Sequence, residues 1–399
     1  MTMEIPSIDH LLGPDLSTQD PYDLWKTKLG LWLRRMYYQN GLIAVPLVAP
    51  FFLLDAYAPR VVRAFIGPQE YPTVRAMAVL AALNLHQINP DPKYLSLAEE
   101  SAGWLLEHQS PGYHGACWGL NFPWMTKGGY YPPTTPFITH TPYCVEALFK
   151  CFDATRKEKY YSTAVSTLNF LEVDLHILFQ SSDKMAMGYG PGMESRIVVN
   201  ANSYAMMLYA LLATRMPENR DALLEKAGRL FNYVTAAQNA DGSWFYYNDS
   251  EKGNFIDCFH SCFVMKNLIK YGRYTGVDLL SIVDKGLDYV LGNFVDPDYN
   301  LARRFTVSAN PSFVKFDLYD QAELLNVLLL RGRQEDAEKL LQAVMKHFYL
   351  PDRRSFGYQI DIFGLLNKMS YLRWAVMPMT LVLSEYLISR QTVLATSQR

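Results

Sequence analysis

One predicted helix start places two residues capable of acid and base chemistry side by side. Asp257 and His260 are three positions apart, so both side chains lie on one face of the helix. A carboxylate beside an imidazole can orient the ring and support proton transfer. The same pattern is also typical of a capping aspartate followed by a core histidine. Because Trp244, Tyr246 and Tyr247 come shortly before this turn, we predict a catalytic pair.

Three further charged residues stand near other predicted helix starts. Asp320 follows the predicted cap Asp317 and could supply a second carboxylate. Glu146 is the alternative, although it could equally form a structural ion pair inside an apolar helix. Arg373 needs an anion, which is either a carboxylate of the protein or an acidic group of a ligand. The predicted catalytic set is Asp257, His260, Asp320 and Arg373.

Aromatic side chains make up 14% of the chain, more than a helical core needs. Flat rings stack on sugars, and nearby polar groups bind the hydroxyls. The loop 118–136 is rich in such rings, although Trp118 could equally pack on a helix end. Of Asn200 and Asn202, we expect one to cap a helix and the other to contact ligand. The predicted substrate contacts are Trp118, Trp124, Lys127, Tyr131, Asn202, Trp244, Tyr246, Tyr319 and Trp374.

Cys258, His260 and Cys262 are the residues most suggestive of a metal site. Residues two apart on a helix point to different sides, so we predict no metal and no cofactor. A formal net charge of −2 argues against nucleic acid as a partner. The five cysteines show no framework spacing, and the acidic N-terminus lacks the apolar core of a signal peptide. We therefore expect a cytoplasmic protein, either free or peripheral to the inner membrane.

Six predicted apolar helices would position these residues. They recur at intervals of roughly 50 to 65 residues, which suits two helices and two loops per unit. The predicted inner helices are Tyr71–Gln87, Pro136–Phe152, Ala201–Arg215, Phe255–Tyr274, Asp317–Arg331 and Ser370–Arg390. More amphipathic segments alternate with them as predicted outer helices, namely Tyr22–Tyr38, Lys93–Gln109, Glu158–Phe179, Glu218–Gln238, Asp278–Phe294 and Gln334–Phe348.

This alternation predicts an all-α fold, an (α/α)6 toroid that forms a single domain. Residues 71–399 form the ring, and residues 1–70 provide an N-terminal arm and the first outer helix packed on it. The links that lead into the inner helices are the long ones. Since loops on a rigid scaffold carry binding groups, we expect the site at the mouth where these links gather.

The apolar run Leu42–Leu54 stands out within the arm. It contains Pro46 and Pro50 and is too short to span a bilayer. One interpretation is a buried arm packed across the ring. The other is a peripheral contact with membrane or lipid.

Two family resemblances support the toroid. The run from Gln238 to Trp244 resembles the QW repeat of squalene and terpenoid cyclases, with a looser copy from Gln109 to Trp118. Across most of the chain, the runs WGLNFPWMTKGGYYPPTTP, QNADGSWFYY, IDCFHSCFVMKNL and YLRWAVMPM resemble bacterial VpsJ-like toroid proteins of surface-polysaccharide biosynthesis clusters. That resemblance implies a toroid related to six-hairpin glycosidases, polysaccharide lyases and uronyl epimerases. It supplies no catalytic residues.

The predicted function is acid/base processing of an acidic surface polysaccharide or its precursor, free or lipid-linked. Hydrolysis would need two opposed carboxyl groups. Epimerisation at C5 or β-elimination would instead need a base such as His260 or Tyr131 and a cation such as Arg373. A noncatalytic glycan-binding or assembly subunit is a second hypothesis. A terpenoid cyclase is a third, which the absence of a DxDD motif disfavours.

Overall fold

The computed structural model describes residues 5–126, 129–192, 196–308 and 312–397, with side chains to residue 391. The predicted contact Lys127 lies outside these residues. In chain order, helices α1 to α14 are Lys28–Asn40, Val45–Tyr57, Pro59–Arg63, Pro72–Ile88, Pro92–Glu107, Thr141–Thr155, Glu158–Asn169, Val199–Arg215, Arg220–Ala236, Cys258–Thr275, Leu280–Asn293, Leu318–Leu330, Gln334–His347 and Met377–Ser397.

The inner layer is a closed ring of helices. α4, α6, α8, α10, α12 and α14 each pack against the next, and α14 returns to α4. In α8 every residue from Val199 to Ala213 is buried, because this helix touches ring neighbours on two sides and an outer helix on a third. The ring agrees with the prediction, but two inner helices start later than expected: α6 begins at Thr141 instead of Pro136, and α14 begins at Met377, after a π-helical turn at Leu372–Val376.

The outer helices α5, α7, α9, α11 and α13 pack on the inner helices that precede them. In α9 the buried positions Leu223, Ala227, Leu230 and Val234 recur every three or four residues, which forms one apolar stripe facing the ring. The predicted outer helix Glu158–Phe179 is shorter than expected. α7 ends at Asn169 and a π-helical turn, Phe170–Asp174, follows it before the chain becomes extended.

Short antiparallel strands brace the loops. In chain order, β1 to β13 are Trp124–Thr126, Gly129–Tyr131, Ile177–Gln180, Met185–Met187, Ile256–Asp257, Val295–Asp296, Leu301–Ala302, Phe305–Val307, Val314–Asp317, Tyr349–Leu350, Ser355–Phe356, Gln359–Asp361 and Leu366–Asn367. β1 pairs with β2, so that Trp124 lies opposite Tyr131. β5 pairs with β8 and leads directly into α10. β9 likewise leads directly into α12, so these small sheets fix the backbone at the starts of two inner helices.

Both QW-like turns make structural contacts. The Trp244 indole donates to the Val234 carbonyl, 3.1 Å away, and the Trp118 indole donates to the Leu105 carbonyl at 2.9 Å. Gln238 donates to two backbone carbonyls, one in its own turn and one in α11. Trp118 and Trp244 are both buried. They therefore join turns to the ends of outer helices, and the structure does not place them as substrate contacts.

The N-terminal region differs from the predicted outer helix Tyr22–Tyr38. Residues 21–26 form turns, and α1 begins at Lys28. α1 and α2 pack on each other as a helical hairpin that has its own small apolar cluster of Leu24, Trp25, Leu33 and Val62. The predicted buried arm Leu42–Leu54 is largely exposed, since Leu42 and Ile43 at the hairpin tip are 85% and 87% accessible.

Candidate active site

The first turns of five inner helices and the π-helical turn Leu372–Val376, which precedes α14, meet around one cavity of about 350 Å³. Thr73 of α4, Asn200 of α8 and Tyr319 of α12 are among its lining residues. This is the mouth at which the long links gather. The predicted site residues that line it are Trp124, Tyr131, Tyr246, Asp257, His260, Tyr319, Arg373 and Trp374.

Asp257 and His260 form a close pair on the cavity wall. The Nδ1 atom of His260 lies 2.8 and 2.7 Å from the two carboxylate oxygens of Asp257. Asp257 ends β5 and precedes α10, and its carboxylate makes no capping bond to that helix. A carboxylate can only accept, so Nδ1 carries a proton, and a neutral His260 ring then has its lone pair on Nε2. This geometry supplies an oriented base.

Arg304 is a cavity residue that sequence reasoning missed. Its Nη1 lies 3.1 Å from Asp320 Oδ2, and its guanidinium carbon is 4.1 Å from the centre of the Phe259 ring. Burial alone would lower the Arg304 pKa, but the nearby carboxylates, Asp320 first, raise it overall. The group stays cationic beside the Asp257 and His260 pair. Arg304 follows Arg303 in a loop between two short strands, and no motif in the sequence distinguished it.

Asp320 lies behind the cavity wall and does not line it. The buried Asp320 carboxylate accepts a hydrogen bond from the backbone N–H of Phe259, 3.0 Å away. It also forms the ion pair with Arg304. Asp320 therefore positions Arg304 and the start of α10. Glu146 is also outside this cavity and pairs with Lys270 at 2.7 Å.

The anion that Arg373 needs comes from the N-terminal region. Arg373 Nη2 lies 2.8 Å from Asp20 Oδ1, and its Nε atom bonds the other oxygen of the same carboxylate. Neither a ring carboxylate nor a ligand is required to neutralise it. Arg373 still lines the cavity, so its positive charge lies next to any bound ligand. Burial, and then the charge of Arg373, lowers the His140 pKa to about 3, which keeps that imidazole neutral.

Aromatic rings cover much of the remaining wall. The ring of Tyr22, a residue outside the predicted set, lies 4.7 Å from Trp124 and 5.5 Å from Trp374. Tyr319 continues the belt 5.3 Å from Trp374. On the far side Tyr246 meets the His260 ring at 4.6 Å. Such a belt suits the apolar faces of a sugar ring.

Two lining side chains keep buried polar atoms without a partner among the described residues. The atoms are the amide oxygen and amide nitrogen of Asn200 and the Nδ1 atom of His140. Asn202, the predicted contact, instead bonds the backbone N–H and carbonyl of Met187 and the Val198 carbonyl. Asn200 is therefore the ligand candidate of the two. A buried polar group without a partner is costly, which points to a bound polar group here.

The described residues contain no group of three or more His, Cys, Asp or Glu able to hold a metal ion. All five cysteines are free and buried. Burial raises the Cys258 pKa well above its usual range, so the thiol beside Asp257 stays protonated.

No family model matches the chain, and no curated protein matches it. Solved structures do match. A cellobiose 2-epimerase from Bacillus thermoamylovorans B4167 has a TM-score of 0.63 at 11% identity, with 81% of this chain and 88% of that chain covered. A GH76 α-mannanase from Bacteroides thetaiotaomicron has a TM-score of 0.59 at 9% identity, covering 82% and 88%. A polysaccharide lyase has a TM-score of 0.56 at 11% identity, covering 82% and 92%.

These likenesses show the fold. They confirm the predicted (α/α)6 toroid and its structural relation to toroid epimerases, hydrolases and lyases. The narrower resemblance to VpsJ-like proteins is not shown by these comparisons.

Proposed function

We propose that the protein is a carbohydrate-active enzyme that removes a proton from carbon in an acidic sugar. The observation that carries this proposal is the Asp257 and His260 pair, which presents one oriented base in an aromatic cavity. The named structural neighbours are carbohydrate-processing enzymes, which supports a saccharide substrate.

The proposed reaction begins at C5 of a uronic acid residue. His260 Nε2 takes the C5 proton, and the electron pair moves into the adjacent carboxylate to give an enolate. Asp257 stabilises the imidazolium that forms. Arg304 and Arg373 offset the growing negative charge on the sugar.

Two outcomes share this first step. Return of a proton to the opposite face gives the C5 epimer, while cleavage of the bond between C4 and its oxygen gives an unsaturated sugar and a free hydroxyl on the departing group. Either path needs a proton donor. Burial raises the pKa of Tyr319, so its hydroxyl stays protonated in the cavity and could serve.

Glycoside hydrolysis is the weaker candidate. It uses two carboxyl groups on opposite sides of the scissile bond. Among the described cavity-lining residues Asp257 is the single carboxylate, and both its oxygens bond His260. The observed pairing favours proton abstraction by an imidazole.

The test is solvent deuterium exchange. Oligosaccharides containing uronic acids, free and lipid-linked, are incubated with the protein in deuterium oxide, and mass spectrometry follows label at C5 or the unsaturated product. We expect turnover by the wild type and a loss of at least about 100-fold in kcat for His260→Asn and Asp257→Asn.

The chain offers a matched control. A second histidine and aspartate pair lies outside the cavity, where the Nδ1 atom of the exposed His114 is 2.8 Å from Asp174. His114→Asn should keep wild-type turnover. Wild-type protein that binds these glycans but neither exchanges nor cleaves them would instead support a noncatalytic binding subunit.

The proposal includes a location in the cell. Five free cysteines suit a reducing compartment, and we place the enzyme in the cytoplasm.

A further inference from the structure

The hairpin of α1 and α2 carries a large exposed apolar surface. Leu42 and Ile43 at its tip project almost fully into solvent, and Phe65 just beyond the hairpin is 87% accessible. Exposed side chains continue along both helices and onto neighbouring loops. We call this the hairpin face: Leu29, Trp32, Leu42, Ile43, Leu53 and Phe65.

Two loops from the ring extend the hairpin face. The Phe52 ring lies 5.7 Å from Phe313, which is itself exposed. The Tyr57 hydroxyl donates to Asp361 at 3.1 Å, beside the exposed residues Ile362 and Phe363. The apolar surface is therefore continuous across three parts of the chain. Soluble monomers rarely expose a patch of this kind without a binding role.

The charge of this region distinguishes it from the rest of the protein. Residues 28–68 contain five basic side chains and one acidic side chain, Asp55, which gives a local charge of +4 in a chain of net −2. Asp55 is already paired with Arg63. Lys28, Arg35 and Arg60 are exposed around the apolar surface. A basic rim around an apolar face is complementary to an anionic lipid surface.

The geometry of α1 and α2 suits a helix pair that lies in the interface between a lipid bilayer and water. Among the described residues, Lys28–Tyr57 is the one helical stretch that is long and apolar enough to cross a membrane by length and composition. Only 11% of its most apolar 18 residues are buried. It is not one straight helix, because Gly41 turns the chain with a φ of +56°. Each of its two helices has 13 residues, which is too short to cross a bilayer.

We propose that the hairpin face docks the protein on an anionic lipid bilayer, with Leu42 and Ile43 inserted. Docking would bring the cavity to the membrane surface, because α1 packs on β1 and Arg34 lies 4.0 Å over the Trp124 ring, which lines the cavity. Lipid binding goes beyond the proposed reaction and can be measured without turnover. A lipid-linked glycan would reach the cavity from this side, a consequence that rests on the proposed function.

Vesicle sedimentation of the full chain tests the docking. We expect the wild type to sediment with phosphatidylglycerol vesicles and less with phosphatidylcholine vesicles, and to be released by salt. The double variant Leu42→Glu/Ile43→Glu should lose binding. Arg35→Glu/Arg60→Glu should weaken binding to the anionic vesicles on the order of tenfold or more.

The matched control is Val277→Glu/Leu280→Glu. These two aliphatic residues are also exposed, at the opposite end of the ring from the cavity, so their replacement should leave sedimentation unchanged. Circular dichroism checks that each variant folds. Absence of vesicle binding by the wild type, or equal loss in the control, would overturn the proposal. So would a dimer in solution that Leu42→Glu/Ile43→Glu dissociates, because the occupant would then be a second copy of the chain.

Discussion

Asn200 and Asn202 are two positions apart in the first turn of α8, yet their side chains have different surroundings. The amide of Asn202 holds three backbone groups within the protein. The amide of Asn200 faces the cavity and has no partner among the described residues. The difference separates a structural asparagine from a ligand-binding one.

Replacing each asparagine should show this separation. Asn200→Ala removes no bond of the folded protein, so we expect little change in the free energy of unfolding but weaker binding of glycan. Asn202→Ala leaves buried backbone groups unpaired and should destabilise the protein by roughly 2 to 3 kcal/mol. Urea denaturation and calorimetric titration with uronate oligosaccharides measure the two effects. Equal destabilisation by both changes would contradict the assignment.

At the scale of elements, the turns between outer and inner helices hold the layers together. Trp244 was predicted to contact substrate, but its indole bonds the end of α9, and its ring lies so close to Gly286 of α11 that a Cβ there would be 2.6 Å away. The glycine is needed for this close approach. Trp244 thus links two outer helices to one turn.

Trp244→Phe should therefore lower stability and spare binding. The change removes the bond to Val234 and leaves a buried carbonyl unpaired, which costs about 1 to 3 kcal/mol of unfolding free energy. Chemical denaturation gives this value, and glycan affinity in the same preparation should match the wild type. If glycan affinity fell while stability stayed unchanged, Trp244 would instead be a substrate contact.

At the scale of the whole molecule, charged groups lie inside the ring below the cavity. Lys266 bonds Glu323 at 2.6 Å and the Tyr143 hydroxyl at 2.7 Å. Glu385 of α14 accepts a bond from Asn326 of α12 at 2.6 Å. Burial, partly offset by Lys270 and Lys266, raises the Glu385 pKa to about 7.

This shift makes stability depend on pH. The raised pKa means that the folded state holds the proton more tightly than the unfolded chain, so the contribution of Glu385 is complete below the unfolded pKa near 4.5 and is lost as pH rises through 7. Glu385→Gln mimics the protonated form. We expect the unfolding free energy of the variant to exceed that of the wild type by roughly 3 kcal/mol at pH 8 and to match it near pH 4. Thermal unfolding of both proteins at the two pH values tests this prediction. A stability difference that does not change with pH would exclude the ionisation of Glu385 as its cause.

Sequence periodicity was enough to predict the ring. A helix buried on several sides must be apolar all round, and six such segments alternating with amphipathic ones leave few other arrangements. The same pattern located the mouth, and the spacing of Asp257 and His260 indicated that their side chains meet at one helix start, although Asp257 lies in β5 rather than on the helix. These features are local, because they depend on positions a few residues apart.

The tertiary structure decided which side chains share the cavity. Arg304 lines it while Asp320 lies behind it, and Asn200 rather than Asn202 is left without a partner, because the rotation of each helix is set by packing on its neighbours. Arg373 finds its anion in Asp20, 353 residues away. The apolar run at residues 42–54 turned outward because the ring closes without it. The spacing of neighbouring residues in the sequence cannot reveal these long-range contacts.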